Sequence, residues 1–124
     1  MLPSWERGEE APVRVISQKR LYAAAERHPI AIPSVERWYG LTRSARWLNF
    51  GEMSDELPCK GIGDDRYVFK IHGNHYRLVA HVRFARVTKD ADGKDVRVGG
   101  SVRFKFFGSH AEYDKIDATT IEPS

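Results

Sequence analysis

The stretch from Arg66 to Asp114 constrains the fold more than any other part of the chain. It holds three runs in which apolar and polar residues alternate: RYVFKI, HYRLVAHVRF and VRFKFF. In the first, Tyr67, Phe69 and Ile71 share a side, opposite Arg66, Val68 and Lys70. In the second, Tyr76, Leu78, Ala80, Val82 and Phe84 oppose His75, Arg77, Val79, His81 and Arg83. In the third, Val102, Phe104 and Phe106 oppose Arg103, Lys105 and Phe107. Period-two alternation of this length belongs to half-buried strands. His72-Gly73-Asn74 separates the first two runs, and Gly and Asn tolerate positive φ, so a tight hairpin is expected there. The product is an antiparallel sheet with one apolar and one cationic face, the latter gathering Lys70, Arg77, His81, Arg103 and Lys105. Like charges set opposite one another on a sheet are unfavourable. Such a face either fans its charges into solvent or holds them for an anionic partner.

The remaining segments set the frame around this sheet. A length of 124 residues suits one domain, and no apolar run approaches the roughly 20 residues that span a bilayer. The N-terminus has no cationic start followed by an apolar core, so no secretory signal is expected. Cys59 is alone, which excludes an internal disulfide and a cysteine metal cluster and suits a reducing compartment. Residues 1–13, with two prolines before Val13 and three glutamates, read as a flexible extension, and 14–124 as a single domain. Val13 to Ile16 is a short β-type run. Ser17 is placed to cap a helix through Arg27, with Leu21, Ala24, Ala25 and His28 on one face and Pro29 as the stop. Pro33-Ser34 opens a second helix with a stripe of Val35, Trp38, Tyr39, Thr42 and Ala45, broadened by Leu41 and Leu48. Residues 49–65 read as a connecting loop with at most one helical turn near Ser54–Leu57. The hydrophilic KDADGKDVRVGG reads as an exposed hairpin arm, and Ser109 to Asp114 as a capped helical turn.

Charge is uneven. Residues 66–110 carry ten Lys or Arg against three Asp, in a chain whose net charge is only +3. A basic block of this kind suits a phosphate-rich partner, an acidic protein segment, or plain solvation.

The segments VRVISQKRLYAAAERHP, RYVFKIHGNHYRLVAHVRF and VRFKFFGSHAEYDKID, in that order, resemble the HigB family of type II toxin–antitoxin toxins. Gly73-Asn74 with Tyr76-Arg77-Leu78-Val79, and His110 with Glu112-Tyr113-Asp114, are the most specific pieces, and the resemblance covers about residues 14–121. It implies an α+β fold of the RelE-like class: two N-terminal helices packed on a small antiparallel β-sheet, with a short C-terminal helical turn. It also implies a bacterial cytoplasmic endoribonuclease that cuts mRNA on the ribosome without metal or cofactor, and a cognate HigA-like helix-turn-helix antitoxin. The alternative on the same fold is a binding module that cuts nothing, such as a gyrase-poisoning toxin.

RNA is cut without metal when its own 2′-hydroxyl attacks the neighbouring phosphorus. That reaction needs a base, an acid and cations for the extra phosphorane charge. Arg77 is the first candidate for the charge, because its planar fork matches two phosphate oxygens; the structural alternative is a salt bridge to an acid such as Asp114. His110 is the candidate acid or base, since an imidazole titrates near neutrality, or else a helix cap. Tyr113 can stack on a base or donate to a phosphate, or simply pin the last turn to the sheet. Lys70, Lys105, Arg103, Lys19 and His81 are candidates for holding the RNA backbone.

Overall fold

The computed structural model describes residues 13–123. Its strands are β1 (Arg14–Ile16), β2 (Cys59–Gly63), β3 (Arg66–Ile71), β4 (Tyr76–Arg83), β5 (Arg86–Lys89), β6 (Asp95–Val98) and β7 (Ser101–Ser109). Its helices are α1 (Gln18–Ala25), α2 (Ile32–Arg43), α3 (Phe50–Glu56) and α4 (His110–Tyr113), with a 3₁₀ turn at Pro29–Ala31. Five strands form one sheet in the order β1-β7-β4-β3-β2, and β5 and β6 form a separate hairpin. The expected α+β layout holds in outline with more elements than expected, and the sheet is mixed, because β1 runs parallel to β7.

The three alternating runs become β3, β4 and β7, with β3 and β4 in register from Arg66↔His81 to Ile71↔Tyr76. His72 (φ 53) and Gly73 (φ 64) make the hairpin turn through left-handed backbone. The hydrophilic linker is an exposed β5–β6 arm in register from Arg86↔Val98 to Lys89↔Asp95. The main core lies between the sheet and the helices: Leu21, Ala25, Val35, Trp38 and Met53 pack on Phe69, Ile71, Leu78, Ala80, Val82, Val102, Phe104 and Phe107.

Four local expectations are corrected. The alternation of the third run breaks at a β-bulge, where Val79 pairs Phe106 but Ala80 pairs Phe104, leaving Lys105 as the extra residue. A bulge reverses the phase of side chains beyond it. Phe107 therefore enters the main core, and Phe106 faces the opposite side of the sheet. Residues 49–65 are not a loop. Asn49 accepts from the N–H of Glu52, the Glu52 side chain accepts from the N–H of Leu48, and this cap starts α3, which β2 follows. Ser17 sits in left-handed backbone and makes no side-chain cap, and α1 ends at Ala25, short of Arg27. Leu41 and Leu48 are exposed rather than part of the α2 stripe.

The second face of the sheet is also not purely cationic. The chain after α4 runs back across it, and Ala118 closes a small second core with Val68 and Val79, joined by Ile62, Phe106, Tyr113 and Ile116. The expected extension over residues 1–13 falls outside the described residues except for Val13, which is buried and donates its N–H to Ala45.

Candidate functional site

Three segments meet at one end of the sheet: the β3–β4 turn, α4 at the end of β7, and the residues following α1. The register sets Tyr76 opposite Ser109 and Arg77 opposite Gly108, so α4 begins beside the turn. The His110 N–H donates to the His75 carbonyl at 3.0 Å. Ser109 caps α4 by accepting from the Glu112 N–H, and the Glu112 carboxylate accepts from the Ser109 N–H at 2.9 Å, a reciprocal capping box. At Gly108 a Cβ would lie 2.8 Å from the Phe106 ring and 2.9 Å from the Glu112 carboxylate, so a side chain there would make these neighbours shift.

Arg77 is 8% exposed. Its guanidinium folds over the turn, donating to the Asn74 carbonyl at 3.0 Å, to the Tyr76 carbonyl at 3.1 Å and to Asn74 Oδ1 at 2.7 Å. All three acceptors are neutral, and Asp114 is not among them. Asp114 instead faces His110, with Oδ2 at 3.1 Å from Nδ1. Lys70 is exposed and pairs with Arg77 across the strands. Tyr113 is half-buried, its ring 6.5 Å from that of Phe106.

The other candidates lie elsewhere. Lys105, in the bulge, donates to the Glu122 carboxylate at 2.6 Å. His81 pairs Arg103 and Arg66 in the ladder. Burial, reinforced by Arg83, Lys105 and Arg66 and opposed by Asp65, holds its pKa below the ordinary histidine value. These surroundings disfavour its charged form. Arg103 is exposed toward the far end of β7, and Lys19 is exposed on α1, in the helical layer across the sheet. The expected cluster of five cations divides. Lys70 and Arg77 stand by the turn, beside the start of α4 at His110, and Tyr113 packs with the second core, while Lys105 and His81 belong to the region covered by the C-terminal segment.

Sequence reasoning missed His28. It was placed on the apolar stripe of α1, but its Nε2 lies 2.7 Å from Glu112 Oε1, and its ring packs on Tyr76 and Phe107. Arg27 reaches the other Glu112 oxygen at 3.3 Å. The Ser109 backbone bond first, and the His28 contact after it, hold the Glu112 carboxyl below the usual glutamate range. No sequence signal marks this contact, whose partners are 84 residues apart. Among the described residues no group of three or more His, Cys, Asp or Glu could hold a metal. No described helix is long and apolar enough to cross a membrane.

A family model described as HigB_toxin, the RelE-like toxic component of a toxin–antitoxin system, matches residues 31–116. The chain belongs to this family. The match runs from α2 through α4 and takes in the turn, Arg77 and His110; β1, α1 and His28 precede it. Membership makes the protein a HigB-type toxin with an antitoxin partner. No curated protein matches the chain.

Proposed function

We propose that this HigB-type toxin is a ribosome-dependent endoribonuclease that cuts mRNA through the RNA's own 2′-hydroxyl, with its centre at the β3–β4 turn. The observation that carries the reading is Arg77, a buried arginine whose acceptors are all neutral. A buried cation without a carboxylate costs stability. Its uncompensated charge, beside exposed Lys70, makes this end of the sheet attractive to a phosphodiester.

The chemistry needs no further group. With its Nδ1–H donating to Asp114, His110 presents the Nε2 lone pair to the 2′-hydroxyl and takes its proton. The 2′-oxygen bonds to phosphorus as the bond from phosphorus to the 5′-oxygen breaks. Arg77 and Lys70 stabilise the phosphorane charge, and the Tyr113 hydroxyl donates the proton that the departing 5′-oxygen takes. The products are a 2′,3′-cyclic phosphate and a 5′-hydroxyl. The ribosome's part is to hold the message in line for attack, which lowers the barrier by orientation alone. Neutralisation falls to the helix-turn-helix antitoxin expected beside it.

The test is to map 5′ ends on messages translated in the presence of the toxin, with one message carrying a single 2′-deoxy nucleotide at the mapped position. The expected result is 5′-hydroxyl ends at defined codons and no cut at the deoxy position. Cleavage at the deoxy position rules out this chemistry, and growth arrest with intact messages replaces it with the non-cutting module.

A further inference from the structure

β1 pairs only with Ser101, Val102 and Arg103, so the outer edge of β7 beyond Arg103 has no strand partner among the described residues. A groove of about 380 Å³ runs along that edge, between α1 and the C-terminal residues Ile121–Pro123. α1 presents Arg20, Ala23 and Ala24 to it, the i, i+3, i+4 positions of one helical face, and Arg27, in the turn just beyond the helix, lines it as well. The two alanines leave room for a main chain to approach, and an arginine stands at each end. Arg20 is exposed and makes no ion pair with a described residue. Arg27 is exposed apart from its contact with Glu112.

We infer that this groove is the docking site for an extended acidic segment of the antitoxin. The family supplies the partner, and the groove supplies its chemistry. Its lining, a strand edge without a strand partner among the described residues and two alanines of α1, suits a single extended strand lying against that edge. Its terminal arginines suit carboxylates, which they can hold in bidentate pairs. The bulge at Lys105 disturbs the regular spacing of the edge. A disturbed edge discourages indiscriminate strand pairing, so the segment is selected by side-chain charge as well as by main-chain bonds. The groove adjoins α4 through Arg27, which contacts Glu112, but Arg77 does not line it, and the inference stands whether or not the toxin cuts RNA.

The test uses the full chain co-expressed with the antitoxin encoded beside it. Ala23→Cys, in a Cys59→Ser background, carries a benzophenone maleimide. The native thiol is a poor competitor in any case, since burial pushes the Cys59 pKa up to about 11. After irradiation, the expected adduct maps to an acidic stretch of the antitoxin. Arg20→Glu is then expected to weaken the complex by about tenfold or more, by charge reversal at a contact, while the toxin retains its melting temperature and its effect on messages. Crosslinks to residues 1–12 of the toxin itself, to a second toxin copy, to RNA, or only to the helix-turn-helix part of the antitoxin overturn the inference. So does an Arg20→Glu variant that binds antitoxin with unchanged affinity.

Discussion

Arg66 and Arg77 lie on the same face of the same hairpin and are 7% and 8% exposed, yet they are held in opposite ways. Arg66 donates to the Ala118 carbonyl at 3.2 Å, to the Ile121 carbonyl at 2.7 Å and to the Glu122 carboxylate at 3.1 Å. Its charge is compensated, and it ties the C-terminal segment to the sheet. Among the described residues, Arg77 bonds only within its own turn, and only to neutral oxygens. Arg66 thus makes a strap, while Arg77 carries no carboxylate of a described residue. The contrast teaches that burial alone does not identify a structural arginine. What matters is whether an anion of the protein's own already sits on it.

The largest effect expected from this contrast is on activity at Arg77. Arg77→Met should lower message cleavage by about a hundredfold to a thousandfold, as removal of a donor to a developing anion does. It should leave stability within about 1 kcal/mol of the parent or raise it, because an uncompensated buried charge is removed. Parallel cleavage assays and urea melts separate the two. Arg66→Met should invert the pattern. Stability should fall by about 3 kcal/mol, since the buried Ala118 carbonyl and the half-buried Ile121 carbonyl lose their donor and Glu122 loses one of its two cations. Cleavage per folded molecule should hold, which a titrated active fraction would measure.

A smaller effect is expected from the contacts that hold α4. His28→Phe keeps the ring packed on Tyr76 and Phe107 but removes the bond to Glu112. Cleavage should fall about tenfold through displacement of His110, with about 1 kcal/mol of stability lost. A fall in stability with unchanged cleavage would make His28 purely structural.

The smallest effect is on acid stability. Glu112 is held below its ordinary pKa by the Ser109 N–H and then His28, and Glu122 by Lys105. Groups of this kind contribute stability that is complete above the ordinary glutamate value, about 4.5. That stability is lost as pH falls through their depressed values. Glu112→Gln and Glu122→Gln should each flatten the acid limb of stability against pH, measured by urea melts across that range.

The strands and the turn were legible because alternation and Gly-Asn chemistry are local. The bulge was not, because Lys105-Phe106-Phe107 reads equally well in either phase until the facing strand is known. α3 carried a signal in Asn49 and Glu52, a cap with its acidic partner three residues on, but Gly51 and the nearby Pro58 obscured it. The strap over the second face left no periodic mark at all. Ile116, Ala118 and Ile121 are scattered apolar residues that acquire a role only when Arg66 and the second core are beneath them. For the same reason Lys105 reads as a free cation in the sequence and is paired with Glu122 in the fold. The backbones of Arg77 and His110 are neighbours because the strand register and the His110–His75 bond place them.

The most direct test is Asn74→Asp, which places a carboxylate where Asn74 Oδ1 now accepts from Arg77 at 2.7 Å and so gives Arg77 what Glu122 gives Arg66. If uncompensated charge at the turn drives cleavage, the variant should melt at or above the parent temperature and cut ribosome-held message at least about tenfold more slowly, as expected when a positive site is neutralised. Parental cleavage by a stably folded Asn74→Asp protein would contradict the account.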